Sequence, residues 1–241
     1  GYPKGAILEY LMTLANSNYE DWRLANPNED IDNFKFSFSK MSKAGALFDM
    51  VKLADVSKNY ICRLSAEEVY EMVTDWAKEN NKKLYKLLVD DEEYAKAIFA
   101  IERGNAKPRK DISAWTDVEN YVSYFYSELW DRKFDFPDNL SNDDMIEILE
   151  LYKQIYDENV SSDDWFPQVR DMAETIGYAK APKVYKKDPD SYKGHVGDVA
   201  GVIRVAATGR RNTPDLYEIL QVLGKDEVMK RFDEAIESLR G

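Results

Sequence analysis

The sequence predicts an all-α fold. Apolar residues recur at helical spacing along most of the chain, convincing strand alternation is rare, and helix start and stop signals bound successive segments. A chain of 241 residues is long enough to bury a sizeable core and to divide into two or three compact units.

The elements follow in order. Pro3 suits the first turn of a helix whose apolar stripe is Ile7, Leu8, Leu11, Leu14 and Ala15. Ser65 and Glu68 form a capping box, each side chain meeting the other's backbone N–H, with Val69, Met72, Val73 and Trp76 following at helical spacing. A helix over 91–103 is expected to bury Tyr94, Ile98 and Ile101, and a tyrosine-rich helix to span 117–130. The next, over 142–157, turns Met145, Ile148, Leu149 and Tyr152 inward.

Residues 164–176 predict a helix closed by Gly177, since glycine accepts the left-handed conformation without a Cβ penalty. The polar stretch 180–194, with Pro182 and Pro189, reads as a loop, and a loop that long in a compact domain is commonly functional or mobile. Thr213-Pro214-Asp215 reads as a helix start, with threonine as cap, proline in the first turn and an acid near the positive dipole end. That helix ends at Gly224, and Val228, Met229, Phe232, Ile236 and Leu239 stripe the last one.

The net charge of −12 argues against a nucleic-acid partner, but the charge is unevenly placed. Between Phe136 and Phe166 nine acidic residues face Lys153 alone, whereas 178–214 holds eight basic residues against Asp188, Asp190 and Asp198. That basic stretch reads either as a solvated loop or as an RNA-facing surface. No apolar run approaches the length of a membrane span, and one cysteine, Cys62, makes no internal disulfide, which fits a reducing cytosol. The chain opens at Gly1 without an initiator methionine, as expected of a fragment.

Catalytic constellations are missing. His195, the only histidine, stands beside glycines and reads as a surface or helix-start residue. There is no cysteine–histidine cluster for zinc, no calcium-loop pattern and no phosphate-cradling glycine loop. Asp143-Asp144 and Asp163-Asp164 lie where helices begin, so capping accounts for them.

Three ordered stretches resemble the C-terminal half of bacterial glutamyl-tRNA synthetases, which are class I aminoacyl-tRNA synthetases. They are "YPKGAILEYLMTL" from Tyr2, "SKAGALFDMVKLADVSKNYI" from Ser42, and "VIRVAATGRRNTPDLYEILQVLGKDEVMKRFDEAI" from Val202, while 63–196 match loosely. Lys40-Met41-Ser42-Lys43 spells four letters of the family's ATP-phosphate loop. The nucleotide fold that loop requires does not precede it, so Ser42-Lys43 is read as the Ser-Lys of the stem-contact segment, with Lys40-Met41 before it by chance.

The resemblance implies a helical stem-contact region at 1–62 and a two-part helical anticodon-binding cage at 63–160 and 161–241. It further implies a cytoplasmic, monomeric glutamate–tRNA ligase that binds the anticodon loop and stem of tRNA-Glu, with no membrane role. The fragment itself is expected to hold no cofactor and to be inactive, ATP and Mg belonging to the other half. By the same resemblance Arg109, Arg170, Arg204, Thr213, Pro214 and Leu216 are the RNA-binding residues, and no catalytic residue is carried over. Arg109 leans towards discrimination against tRNA-Gln. Arg210 and Arg211 suit phosphates on electrostatic grounds alone. The competing reading is a helical protein-interaction module using Tyr121 to Tyr126 and an acidic surface.

Overall fold

The computed structural model describes residues 1–41 and 47–241, so Ser42 and Lys43 of the four-letter match lie outside the described residues. Among the described residues the regular secondary structure is helical apart from one two-residue strand pair, as expected for the all-α class. They form two compact units, Gly1–Tyr126 and Ser127–Gly241. The expected division at 62/63 falls just past a helix end inside the first unit, and that at 160/161 in a turn inside the second.

The first unit contains α1 (Lys4–Ala15), α2 (Tyr19–Ala25), α3 (Met50–Ile61), α4 (Ala66–Asn80), α5 (Lys82–Asp90), α6 (Glu92–Ala100) and the short α7 (Val118–Val122). Helix α1 packs on α3, where Tyr60 presses on Gly5 so closely that a Cβ there would strike its ring. Helices α4, α5 and α6 bury Val69, Val73, Leu84, Leu88, Ile98 and Phe99. The capping box of α4 is present: the Glu68 N–H donates to Ser65 Oγ at 3.1 Å and the Ser65 N–H to Glu68 Oε2 at 2.7 Å.

Two expectations fail here. The α1 stripe points outward, Ile7, Leu8 and Leu11 being 40%, 47% and 48% exposed, while Ala6, Glu9 and Tyr10 are buried. Glu9 tolerates burial because two guanidiniums meet it, Arg63 at 2.6 Å and Arg23 at 3.1 Å. The expected helix over 117–130 shrinks to α7, flanked by 3₁₀ turns at Trp115–Asp117 and Ser123–Phe125. Tyr124, Phe125 and Tyr126 are all buried, and three consecutive inward side chains cannot share one face of a regular helix.

The second unit contains α8 (Asn142–Ile155), α9 (Ser162–Thr175), β1 (Tyr178–Ala179), α10 (Pro182–Tyr185), β2 (Gly194–His195), α11 (Val196–Thr208), α12 (Leu216–Leu223) and α13 (Lys225–Arg240). Helix α11 lies at its centre, in contact with α8, α9 and α13. All four residues expected inward on α8 are buried, and Trp165 of α9 donates to the Tyr152 hydroxyl at 2.7 Å. Gly177 closes α9 with φ 85°, as expected.

The polar stretch after Gly177 is more ordered than expected. Strands β1 and β2 pair in parallel at its ends, and α10 occupies one turn between them. Lys193 fastens this excursion to α8 through Asp144 at 2.7 Å and Glu147 at 3.0 Å. His195 caps α11, its Nδ1 accepting from the Gly197 N–H at 3.0 Å while Asp198 accepts from the His195 N–H at 2.8 Å. The lone histidine is thus a helix-start residue.

Candidate nucleic-acid interface

Helix α11 stops at Gly209, whose φ of 76° turns the chain back on itself. A side chain at Gly209 would be strained in that conformation, and its Cβ would run into the carbonyl oxygen of Lys133. The turn that follows carries Arg210 to Asp215 and leads into α12.

Arg204, one turn back on α11, clamps this turn. Its guanidinium donates to the Pro214 carbonyl at 2.7 Å, to the Thr213 carbonyl at 3.3 Å and to the Thr213 hydroxyl. Thr213 is 6% exposed and Leu216 2%, and Pro214 is buried. The sequence therefore brings Arg204, Thr213, Pro214 and Leu216 together, with three of them shaping the turn from beneath and the half-buried Arg204 tying it down.

The cap of α12 corrects the expected start signal. Asp215, not Thr213, is the N-cap, its carboxylate accepting from the Glu218 N–H at 2.9 Å. The threonine hydroxyl is engaged by Arg204 instead. A carboxylate therefore sits at the positive end of the α12 dipole, as expected of Asp215, but as the cap itself.

Arg170 sits on α9 with its guanidinium 5.4 Å from the Phe166 ring centroid. Its Nε is buried with no hydrogen-bond partner among the described residues. Arg109 belongs to the first unit, where Asp111 holds it in a two-point pair at 2.7 and 2.9 Å, with Glu102 3.8 Å away.

The basic stretch of the second unit is partly neutralised. Lys193 is paired as described, Arg211 lies 3.0 Å from an Asp135 oxygen, and Lys180 lies 3.8 Å from Glu174. Lys183 on α10 and Lys186 and Lys187 just after it are exposed.

Sequence reasoning passed over one group entirely. Arg231, 1% exposed, donates to the Ala207 carbonyl at 2.6 Å, pairs with Glu227 at 2.8 Å and lies 4.1 Å from the Trp130 ring centroid. The signal was a charged residue on the buried stripe of α13, between Val228 and Phe232. Phe134 and Phe136 extend the same group outward, and their alternation with Lys133 and Asp135 was the available hint.

The guanidinium-clamped turn between α11 and α12 lies within a stretch that matches a known family. Residues 190–236 match a family model described as anticodon binding domain. Over nearly its whole length the chain is also similar to glutamate–tRNA ligases. It is 44% identical over 236 residues to that of Clostridium perfringens, covering 96% of this chain and 43% of the relative. To that of Acetivibrio thermocellus it is 43% identical over 236 residues, covering 98% and 43%.

The chain thus spans under half the length of the curated relatives it matches, and the family resemblance read from the sequence is borne out. Among solved structures, the glutamate–tRNA ligase of Elizabethkingia meningosepticum shares the fold with TM-score 0.62 at 20% identity, covering 99% of this chain and 42% of that one. The glutamate–tRNA synthetase of Elizabethkingia anophelis does so with TM-score 0.63 at 18% identity, covering 98% and 41%.

Proposed function

We propose that this chain is the tRNA-binding portion of a glutamate–tRNA ligase, contacting the stem of tRNA-Glu through residues 1–62 and its anticodon loop through 63–160 and 161–241. The observation that carries this reading is the Arg204-clamped turn at Thr213 and Pro214, which lies inside the stretch matching the anticodon binding domain. Arg204 fixes the shape of the turn and retains a half-buried cation beside it. Arg170, with an unused Nε and one face against Phe166, supplies a second planar cation, and Arg109 a third. Anticodon bases are unstacked, so planar guanidiniums and a preformed turn suit them.

These residues perform no bond chemistry. They add binding energy and selectivity, a bidentate arginine–base contact being worth roughly 1–3 kcal/mol by analogy with DNA readout. Activation of glutamate belongs to the part of the ligase beyond this chain, along with ATP and Mg. Among the described residues no group of three or more His, Cys, Asp or Glu is placed to hold a metal ion. No helix described is long and apolar enough to cross a membrane. A monomeric cytoplasmic enzyme completes the proposal.

The test is fluorescence anisotropy of this chain with tRNA-Glu and tRNA-Gln anticodon stem-loops at two salt concentrations. Binding selective for tRNA-Glu, and weakened at least roughly tenfold by Arg204→Ala, is the expected result for loss of one such contact. Equal, weak binding of both RNAs, unchanged in the variant, would overturn it.

A further inference from the structure

The second unit contains a ladder of planar groups that climbs out of its core. At the bottom lies Arg231, 1% exposed, with Trp130 above it at 4.1 Å and 8% exposed. Phe134 meets the Trp130 ring edge-on, with centroids 5.9 Å apart at 87°, and Phe136 stacks on Phe134 at 5.7 Å and 23°. Both phenylalanines are half-buried, and Phe136 has no further ring partner among the described residues. Burial thus falls from Arg231 and Trp130 to the two half-buried phenylalanines, which are partly open to solvent.

The ladder is fastened to the clamped turn. The Asp135 N–H donates to the Gly209 carbonyl at 3.1 Å. Arg211 donates from Nε to the Asp135 carbonyl at 3.0 Å and from its terminal nitrogen to the Phe136 carbonyl. Gly209 lets the two segments meet, since any Cβ there would strike Lys133. The segment that holds the phenylalanines lies outside the 190–236 match, yet it abuts the beginning of the turn that Arg204 closes.

We propose that Phe136, backed by Phe134 and with Arg211 beside it, is a stacking platform for one unpaired base of the anticodon loop. Three features favour a nucleobase as occupant. The platform is planar and preordered, a cation lies beside it, and it is continuous with the turn assigned to RNA. Base–aromatic stacking tolerates any base, so the platform supplies affinity and holds a nucleotide out of the loop's own stack, while the arginines read edges. The inference rests on the anticodon-binding reading and names a further contact of that site.

The experiment uses this chain with a tRNA-Glu anticodon stem-loop carrying 2-aminopurine at each unpaired position in turn. The fluorophore is quenched when it stacks on a ring. One position should be quenched by the wild-type chain, released by Phe136→Leu and quenched again by Phe136→Trp. Phe136→Leu should also weaken binding roughly five- to thirtyfold, the loss expected for one stack, with the melting temperature held close to wild type. Wild-type binding that depends on Arg204 but quenches no position, or is indifferent to Phe136→Leu, would overturn the platform and leave the anticodon reading intact. No binding of the stem-loop by the wild-type chain would overturn both. If the leucine variant fails to fold, Phe136→Trp decides the matter: the indole should change the quenching at that one position, and an unchanged signal at every position would overturn the platform.

Discussion

Arg231 lies under Trp130, its guanidinium carbon 4.1 Å from the ring centroid, in a site where the arginine is only 1% exposed. A cation so far from water is stable because Glu227, the Ala207 carbonyl and the ring each offset part of its desolvation. Burial raises the Glu227 carboxyl, and the bond from Arg231 overrides this, holding it below the usual glutamate range.

Replacing Arg231 with methionine keeps the apolar stem, removes the Ala207 carbonyl's bond from the guanidinium and leaves Glu227 with only the longer Lys230 contact at 3.5 Å. Urea unfolding should show a loss of about 2–4 kcal/mol, below the figure for a fully buried pair because Glu227 is part-exposed. A loss under about 0.5 kcal/mol would mean that the ladder is anchored elsewhere.

Gly209→Ala tests the junction of the ladder with the clamped turn. The left-handed conformation and the Lys133 carbonyl both oppose a methyl group, so a destabilisation of about 1–3 kcal/mol is expected. The larger effect should appear in stem-loop affinity, because the strain is relieved by moving the segment that carries Phe134 and Phe136. Unchanged affinity in a folded variant would separate the ladder from the RNA surface.

Arg109 gives a competition experiment. Its two-point pair with Asp111 occupies the donors that a base edge would need. The pair is about a third exposed on both sides, so it is worth no more than about 1 kcal/mol and is breakable. Asp111→Asn should therefore strengthen stem-loop binding roughly two- to fivefold, and Arg109→Ala should weaken it. Weakening by both substitutions would instead make the pair itself the element that shapes the surface.

The Lys193 contacts predict an acid limb of stability. The hydrogen bonds from Lys193 and then Ser141 hold Asp144 below its usual range. A depressed carboxylate contributes stability that is present above its unfolded value of 3.8 and is lost as pH falls through the lower folded value. Lys193 is raised, chiefly by its bonds to Asp144 and Glu147, so its part is complete below 10.5 and fades only at still higher pH. Lys193→Met should flatten the acid limb below pH 3.8 by at most about 1 kcal/mol, solvent screening of this part-exposed pair included. Parallel limbs in wild type and variant would assign the acid loss to other carboxylates.

What was legible in the sequence was whatever local chemistry decides. Ser65 and Glu68 announce α4, Met145 to Tyr152 announce the buried side of α8, and Gly177 and Gly224 announce their turns, because each signal and its partner lie within a few residues. Helix α1 was misread because its inward face carries Glu9, and only the distant Arg23 and Arg63 make a carboxylate admissible there. The segment around Tyr124 was misread because burial on consecutive residues overrides helical period. At the candidate interface, Arg204 and Thr213 were identified but their bond was not. The rule for capping assigned the threonine hydroxyl to the helix, whereas a guanidinium one turn up another helix claims it. Arg231 and Trp130 escaped for the same reason: their pairing spans a separation that no local pattern encodes.

The carboxylate of Asp215 at the head of α12 also bears on the kinetics of the proposed RNA docking. With a net charge of −12 and a carboxylate capping the α12 end of the Arg204 turn, an RNA docking there as proposed would approach an acidic chain. Association should then be slow and quickened by added salt at low ionic strength, the reverse of electrostatic steering, and affinity must come from slow dissociation once bases are seated. Such a surface holds RNA indiscriminately only with difficulty: a backbone that brings charge without the fitting bases is turned away before it docks.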